Sequence, residues 1–307
     1  MTGTAPLPFP LGYGTNGLGD HPLPDALDLL EDAGYDAVAL TLGFPHLDPG
    51  APPEVLRALR DRLARAHDGR GLRLVVETGT RYLLDPRRKH APALVDPDAG
   101  PRLGYLRRAV EVAAALGAPV VQLFSGVLPA RTAPEQGWDR LRDRLPEVVR
   151  HAADHGVRLA LEPEPGMLVE TVGDALRLHA DLGAPAALGL TVDVGHCLVV
   201  EPAGVAGALD AAGPLLAHVQ LDDMPRTHHE HLPFGAGDLD LPAALAALAR
   251  RAAAGYAGVV SVELPRHSWD APRQVHDAAA AIRHAWATAA TGPATAPDPV
   301  PRPAPAR

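Results

Sequence analysis

The stretch Leu188–Cys197 reads LGLTVDVGHC and opens with a short run of apolar residues. The run Leu188–Val192 has the length and the branched side chains of a buried strand, and it ends at Asp193. His196 follows three residues later. A carboxylate and an imidazole at the end of a core strand suit a metal or substrate site, although Asp193 could equally cap the next helix. The ends of the other strands therefore decide between these two interpretations.

Short apolar runs alternate with longer helical patterns along the whole chain. The predicted strands are Leu11–Thr15, Asp36–Leu42, Leu72–Thr78, Pro119–Phe124, Val157–Glu162, Leu188–Val192, Leu215–Leu221 and Gly258–Glu263. Eight successive strand–helix units with strands that are apolar on both faces predict a (β/α)8 barrel, an α/β fold. The alternative is a doubly wound open sheet, but its glycine-rich phosphate turn is matched only loosely by GYGTNGLGD at 12–20.

Length and composition limit the classes of function. The 307 residues suit a single barrel domain over 1–289, followed by a Pro/Ala-rich tail over 290–307 that we expect to be disordered. A net charge of −9 argues against nucleic acid as a partner. The lone cysteine, Cys197, fits a reducing cytoplasm. Because neither a signal peptide nor an apolar run of membrane-spanning length is present, we expect a cytoplasmic protein without a membrane partner.

Each of the last four predicted strands carries one ligand-type residue, at its carboxyl end in the fifth, sixth and eighth strands and within the strand in the seventh. The four residues are Glu162, Asp193, His218 and Glu263. The carboxyl ends of barrel strands meet at one face, so these side chains should point to a common centre. Burial of several bare carboxylates costs several kcal/mol each, and a divalent cation would remove that cost. Three carboxylates and one imidazole favour Mn²⁺, Mg²⁺ or Co²⁺, and Zn²⁺ is also compatible.

The loop Thr78–Leu94 follows the third strand and carries Arg81 and Lys89. It is interpreted either as a lid that closes on an anionic or polyhydroxylated substrate, or as a solvated basic loop. Glu77 ends the third strand, where it could bind sugar hydroxyls or pair with Arg81. Glu164, in the turn after the fifth strand, is a further candidate for substrate binding.

Five motifs together carry a resemblance to a known family. They are ALEPEPG (160–166), TVDVGH (191–196), HVQLDD (218–223), HLPFGAGDLD (231–240) and SVEL (261–264). Over roughly Pro10–Ala289 the chain resembles the sugar phosphate isomerase/epimerase family of xylose isomerase-like TIM barrels, which includes ketose 3-epimerases and is related to endonuclease IV. The resemblance implies a divalent-metal-dependent sugar or cyclitol isomerase/epimerase that works by proton transfer through an enediolate. It leaves a homodimer open as the assembly.

The resemblance also implies roles for particular residues. One divalent ion would bind through Glu162, Asp193, His218 and Glu263, and Glu162 and Glu263 would also form the acid–base pair. His196 matches the substrate-contacting histidine, whereas His231 stands where the family usually has an arginine. His229 lies beside it in the same loop.

Three other functions stay open. A keto-inositol dehydratase would use the same site. A phosphodiesterase of the endonuclease IV type could hold extra zinc ions with His46, His196, His229 and His231, although an acidic surface does not attract phosphate. A binding protein with a degenerate barrel is the third alternative, and the intact set of four ligand-type residues argues against it.

Overall fold

The computed structural model describes residues 6–291 as a closed barrel of eight parallel strands in sequence order, with β8 paired to β1. The strands are β1 (Leu11–Gly14), β2 (Ala37–Thr41), β3 (Arg73–Glu77), β4 (Val120–Phe124), β5 (Arg158–Glu162), β6 (Leu188–Asp193), β7 (Leu216–Leu221) and β8 (Val260–Val262). The predicted barrel is confirmed. Closure leaves no free sheet edge, so the backbone of every strand is paired on both sides.

Nine α-helices lie among the described residues and surround the barrel. They are α1 (Leu23–Asp32), α2 (Pro53–Gly69), α3 (Gly100–Leu116), α4 (Pro134–Asp154), α5 (Val172–Asp181), α6 (Val194–Val200), α7 (Gly204–Ala212), α8 (Leu241–Ala253) and α9 (Ala271–Thr291). The sequence did not predict α6, because VGHCLVV is short and lacks the periodicity of an amphipathic helix. Predicted domain boundaries fall near the end of α9, and nearly all of the predicted tail lies outside the described residues.

The inward face of the barrel changes from apolar to polar along the strands. Small apolar side chains form a cluster among the strands, toward their amino ends: Ala37, Ala39, Val75, Val120, Ala160, Ala217 and Val259. Side chains of a strand alternate between its two faces, so the next inward position on four successive strands is two residues further on. Those positions are occupied by Thr41, Glu77, Gln122 and Glu162, which lie nearer to the carboxyl ends of the strands than the cluster does. The fold thus places a polar layer at the carboxyl ends of the strands.

The length and hydropathy of the helices bear on whether any of them could span a membrane. Within residues 6–291, no single helix is both long and apolar enough to cross a membrane. Two consecutive helical segments, Val194–Val200 and Gly204–Leu215, together have the length and composition of a membrane span, but they are bent by 113° relative to each other.

Candidate metal centre

Three of the four predicted metal ligands keep one buried ligand atom without a hydrogen-bond partner among residues 6–291. These atoms are Asp193 Oδ2, His218 Nδ1 and Glu263 Oε2. The other polar atom of each side chain is engaged: Asp193 Oδ1 accepts from the backbone N–H of His196 at 2.9 Å, and His218 Nε2 lies 2.8 Å from Ser261 Oγ. An unpaired buried polar atom is costly, so three such atoms on or just after β6, β7 and β8 fit a binding site for a cation. The donor set therefore fits a divalent metal.

Asp193 answers the question that its sequence position raised. It ends β6 and also caps α6, because its Oδ1 accepts the hydrogen bond that a capping residue receives. Its Oδ2 stays free for a ligand. The two interpretations of this residue are therefore compatible, since each uses a different oxygen.

Glu162 and Glu263 lie in an environment crowded with carboxylates. Burial raises the pKa of Glu162 well above its ordinary value, and the charges of Glu263, Glu164 and Asp193 raise it further. Burial likewise raises the pKa of Glu263, followed by the charges of Glu77 and Asp193. The pKa of Asp193 is lowered: burial opposes the change, but electrostatic interactions with His196, His231 and His229, together with the hydrogen bond from the backbone N–H of His196, outweigh it. Such crowding is what a bound cation relieves.

Three groups of described residues bring metal-ligand atoms within 4.8 Å of one another. The groups are Glu162 with Asp193 and His196, Asp193 with Asp222 and His231, and His196 with His229 and His231. Two predicted ligands, Glu162 and Asp193, thus come together. His218 and Glu263 belong to none of these groups, although the charge of Asp193 acts, after burial, on the pKa of both. The four-residue ligand set therefore stays a prediction.

A cluster of three histidines borders Asp193. The Nε2 atom of His229 lies 3.1 Å from Nε2 of His196 and 3.0 Å from Nε2 of His231. The Nδ1 atom of His196 faces the carbonyl oxygen of Pro163 at 3.2 Å, which requires a proton on Nδ1 and leaves Nε2 as a bare acceptor. Burial lowers the pKa of His229 to about 3, and the neighbouring imidazoles contribute. Because Nε2 of His196 accepts, Nε2 of His229 carries the proton in the contact between these two rings.

Two adjacent aspartates organise the loop that supplies this cluster. Asp222 Oδ2 lies 2.7 Å from His231 Nδ1, and Asp222 Oδ1 accepts from the backbone N–H of Gly195 at 3.1 Å. Burial raises the pKa of Asp222 well above its ordinary value. Asp223 accepts four backbone N–H groups, from Met224, Gly235, Gly237 and Leu239, at 2.8–3.0 Å. The loop after β7 is consequently held in one shape over the site.

The basic loop after β3 is anchored from below by Arg102. This buried guanidinium, 2% exposed, donates to the carbonyl oxygens of Thr78, His90 and Pro92 and to Thr80 Oγ1. Burial lowers its pKa to about 10. The predicted substrate contacts Arg81 and Lys89 are exposed at the rim. The loop therefore has a fixed base and two solvated cations near the barrel mouth.

Two alternatives that the sequence left open are not seen among the described residues. Glu77 does not pair with Arg81, because its oxygens accept from Thr41 Oγ1 at 2.8 Å and from Gln220 Nε2 at 3.2 Å. His46 is absent from the three groups of described ligand residues, and its Nε2 lies 3.1 Å from the carbonyl oxygen of Leu18. Both carboxylate oxygens of Glu77 are therefore occupied by hydrogen bonds from other strands of the barrel.

Other residues of the site were missed by sequence reasoning. Gln122 donates to Glu162, Asn16 donates to Glu263 at 2.8 Å, and Asp222 holds His231. For Gln122 a weak signal existed, because it is the one polar residue in the strand sequence VVQLF. Asn16 offered none, since it follows β1 in the one-turn 3₁₀ helix Thr15–Leu18 and belongs to no periodic element.

A strand-end cluster of carboxylates and imidazoles inside a closed parallel barrel defines an α/β barrel with a metal-type site. The sequence profile described as "Xylose isomerase-like TIM barrel" matches residues 27–285, and the chain belongs to that family.

Individual relatives agree with this assignment. Xylose isomerase from Streptomyces lividans is 33% identical over 140 residues, which are 42% of this chain and 33% of that enzyme, so the match spans about a third of its length. A structure of L-ribulose 3-epimerase has a TM-score of 0.70 at 21% identity and covers 92% of this chain and 95% of its own. The IolI protein, solved with a bound zinc atom, has a TM-score of 0.68 at 21% identity and coverages of 91% and 98%. At these identities the two structures establish the fold.

Proposed function

We propose that the protein is a divalent-metal-dependent isomerase or epimerase of a small keto sugar or cyclitol. The observation that carries the proposal is a set of three buried atoms, on Asp193, His218 and Glu263, that have no hydrogen-bond partner among the described residues. Epimerase and isomerase activities of the similar proteins support the choice of reaction. Glu162, Asp193, His218 and Glu263 would hold the ion, with Mn²⁺, Mg²⁺ or Co²⁺ expected and Zn²⁺ compatible.

In the proposed reaction the ion and the side chains would have separate roles. When bound, the ion would polarise the substrate carbonyl and the neighbouring hydroxyl, which acidifies the carbon-bound proton. Glu162 and Glu263 stand on different strands and would remove and return that proton from two sides of the substrate, through an enediolate. His196 and His231 would bind substrate hydroxyls, because their rings border Asp193. Glu77, Glu164, Arg81, Lys89 and His229 are the further proposed substrate contacts.

The test is proton exchange. Metal-loaded protein would be incubated in D₂O with a panel of ketoses and keto-cyclitols, and NMR would follow deuterium at carbon and the appearance of an epimer or isomer. We expect exchange with at least one substrate and none with chelator-treated protein. Dehydration of a keto-cyclitol instead would identify the dehydratase. Absence of exchange and of product across the panel would refute the proposal.

One observation favours a second candidate, a metal-dependent phosphodiesterase. The converging nitrogens of His196, His229 and His231 could hold an additional zinc ion. If they do, metal analysis should show more than one equivalent per chain, His231→Ala should lose one equivalent, and the parent protein should cleave DNA at abasic sites. A single equivalent that His231→Ala retains, together with weakened turnover of a sugar, supports the isomerase.

A further inference from the structure

Each proposed acid–base glutamate receives a hydrogen bond from one side-chain amide. Gln122, on β4, donates through Nε2 to Glu162 Oε2. Asn16, in the turn after β1, donates through Nδ2 to Glu263 Oε1 at 2.8 Å. The second oxygen of each glutamate is not held by an amide: among the described residues Glu263 Oε2 is buried without a partner, and Glu162 Oε1 lies 3.5 Å from His196 Nδ1.

The amide of Gln122 can take only one orientation. Its Oε1 accepts the backbone N–H of Thr78 at 3.1 Å, and its own backbone carbonyl accepts from the Thr78 hydroxyl at 2.9 Å. A backbone N–H only donates, so the oxygen of the amide must face Thr78 and its nitrogen must face Glu162. Glu162 Oε2 therefore acts as an acceptor in this contact. The oxygen that remains for the ion or the substrate is Oε1.

We propose that Gln122 and Asn16 are positioning residues that hold the carboxylates of Glu162 and Glu263 at a fixed rotation, each with its other oxygen directed at the centre of the site, where the ion and the substrate would bind. The inference rests on the proposed function. The terminal torsion of a glutamate is broad and roughly two-fold, so a carboxylate without such a partner would rotate freely. Reacting groups lose about 100-fold in rate when misplaced by roughly 1 Å, so this rotation matters for catalysis.

The two amides differ in how firmly they are held. Gln122 is fixed through Thr78, whereas Asn16 Oδ1 is buried without a partner. A fixed donor holds its carboxylate more tightly than one that can turn. We therefore expect loss of the Gln122 amide to reduce kcat more than loss of the Asn16 amide.

The experiment compares Gln122→Met and Asn16→Leu with a matched control, Gln274→Met. Gln274 is also buried and donates to a carboxylate, Asp270 Oδ2, at 3.3 Å, but it lies on α9 away from the site. For Gln122→Met we expect kcat to fall about 10- to 100-fold, as for loss of a hydrogen bond to a charged group, with metal content kept and KM within about threefold. The control should keep the parent kcat.

Deuterium exchange separates positioning from general loosening. Gln122→Met should slow exchange only on the substrate face that Glu162→Gln also affects, and Asn16→Leu should slow the face affected by Glu263→Gln. Equal slowing of both faces, or unchanged kcat in both variants, overturns the inference.

A crystal structure of Gln122→Met gives a measure that does not depend on activity. We expect the Glu162 carboxylate to rotate away from its parent position or to occupy two positions. If it stays in place, the positioning inference is wrong even in an active enzyme. If the parent protein exchanges no proton with any substrate, the proposed function fails, and the crystal structure still decides whether Gln122 fixes Glu162.

Discussion

Glu77 is a buried acid whose protonation should be measurable as stability. Its side chain ends β3, is 3% exposed, and accepts from Thr41 and Gln220 across the barrel. Burial raises its pKa from 4.5 to about 7; the charge of Asp193 adds to the rise and the two hydrogen bonds oppose it. The folded protein therefore holds this proton more tightly than the unfolded chain does.

The size of the effect follows from the pKa. A rise from 4.5 to about 7 corresponds to ~3 kcal/mol. Because the folded-state pKa is the higher one, the stability that the proton contributes is fully present below pH 4.5 and is lost as the pH rises through 7. Glu77→Gln stays neutral and avoids this loss. Relative to the parent, its free energy of unfolding should rise by ~2–3 kcal/mol between about pH 5 and pH 8.5.

Urea unfolding of chelator-treated protein, followed by circular dichroism at pH 5, 7 and 8.5, measures this difference. The control is Glu54→Gln, which removes an exposed carboxylate in the first turn of α2 and should shift the pH dependence by less than ~0.5 kcal/mol. If the gap between Glu77→Gln and the parent is the same at all three pH values, the reasoning from burial is wrong.

Further predictions address the metal, the chemistry and the loops. His218→Ala should lose metal, as measured by elemental analysis, because it removes the buried Nδ1 atom. Glu263→Gln should lower kcat by at least ~10²-fold while metal content falls less, and near-parent turnover would exclude it as a base. Asp223→Ala should lower the free energy of unfolding by ~2–4 kcal/mol in urea titrations, since four backbone N–H groups lose their acceptor. Arg102→Met should speed hydrogen exchange across 78–92, and unchanged exchange would show that other contacts hold this loop.

The sequence was sufficient to predict features that depend on the position of a residue within a periodic strand or helix. Eight apolar runs separated by helical patterns suffice for a barrel, because a parallel strand that is apolar on both faces must be covered on both. The strand-end positions of Glu162 and Asp193 followed from that pattern, and the structure brings their ligand atoms within 4.8 Å. The short helix α6 escaped prediction because seven residues carry too little periodicity.

What the sequence could not supply are the partners that lie far along the chain. Asn16 and Glu263 are 247 residues apart and Gln220 and Glu77 are 143 apart, yet barrel closure and packing across the interior bring each pair into hydrogen-bond contact. The local pattern determined the fold and the end of the barrel at which polar residues gather. Only the tertiary structure decided which oxygen of each carboxylate is occupied, because distance and direction between side chains on different strands depend on the register and tilt of the closed sheet.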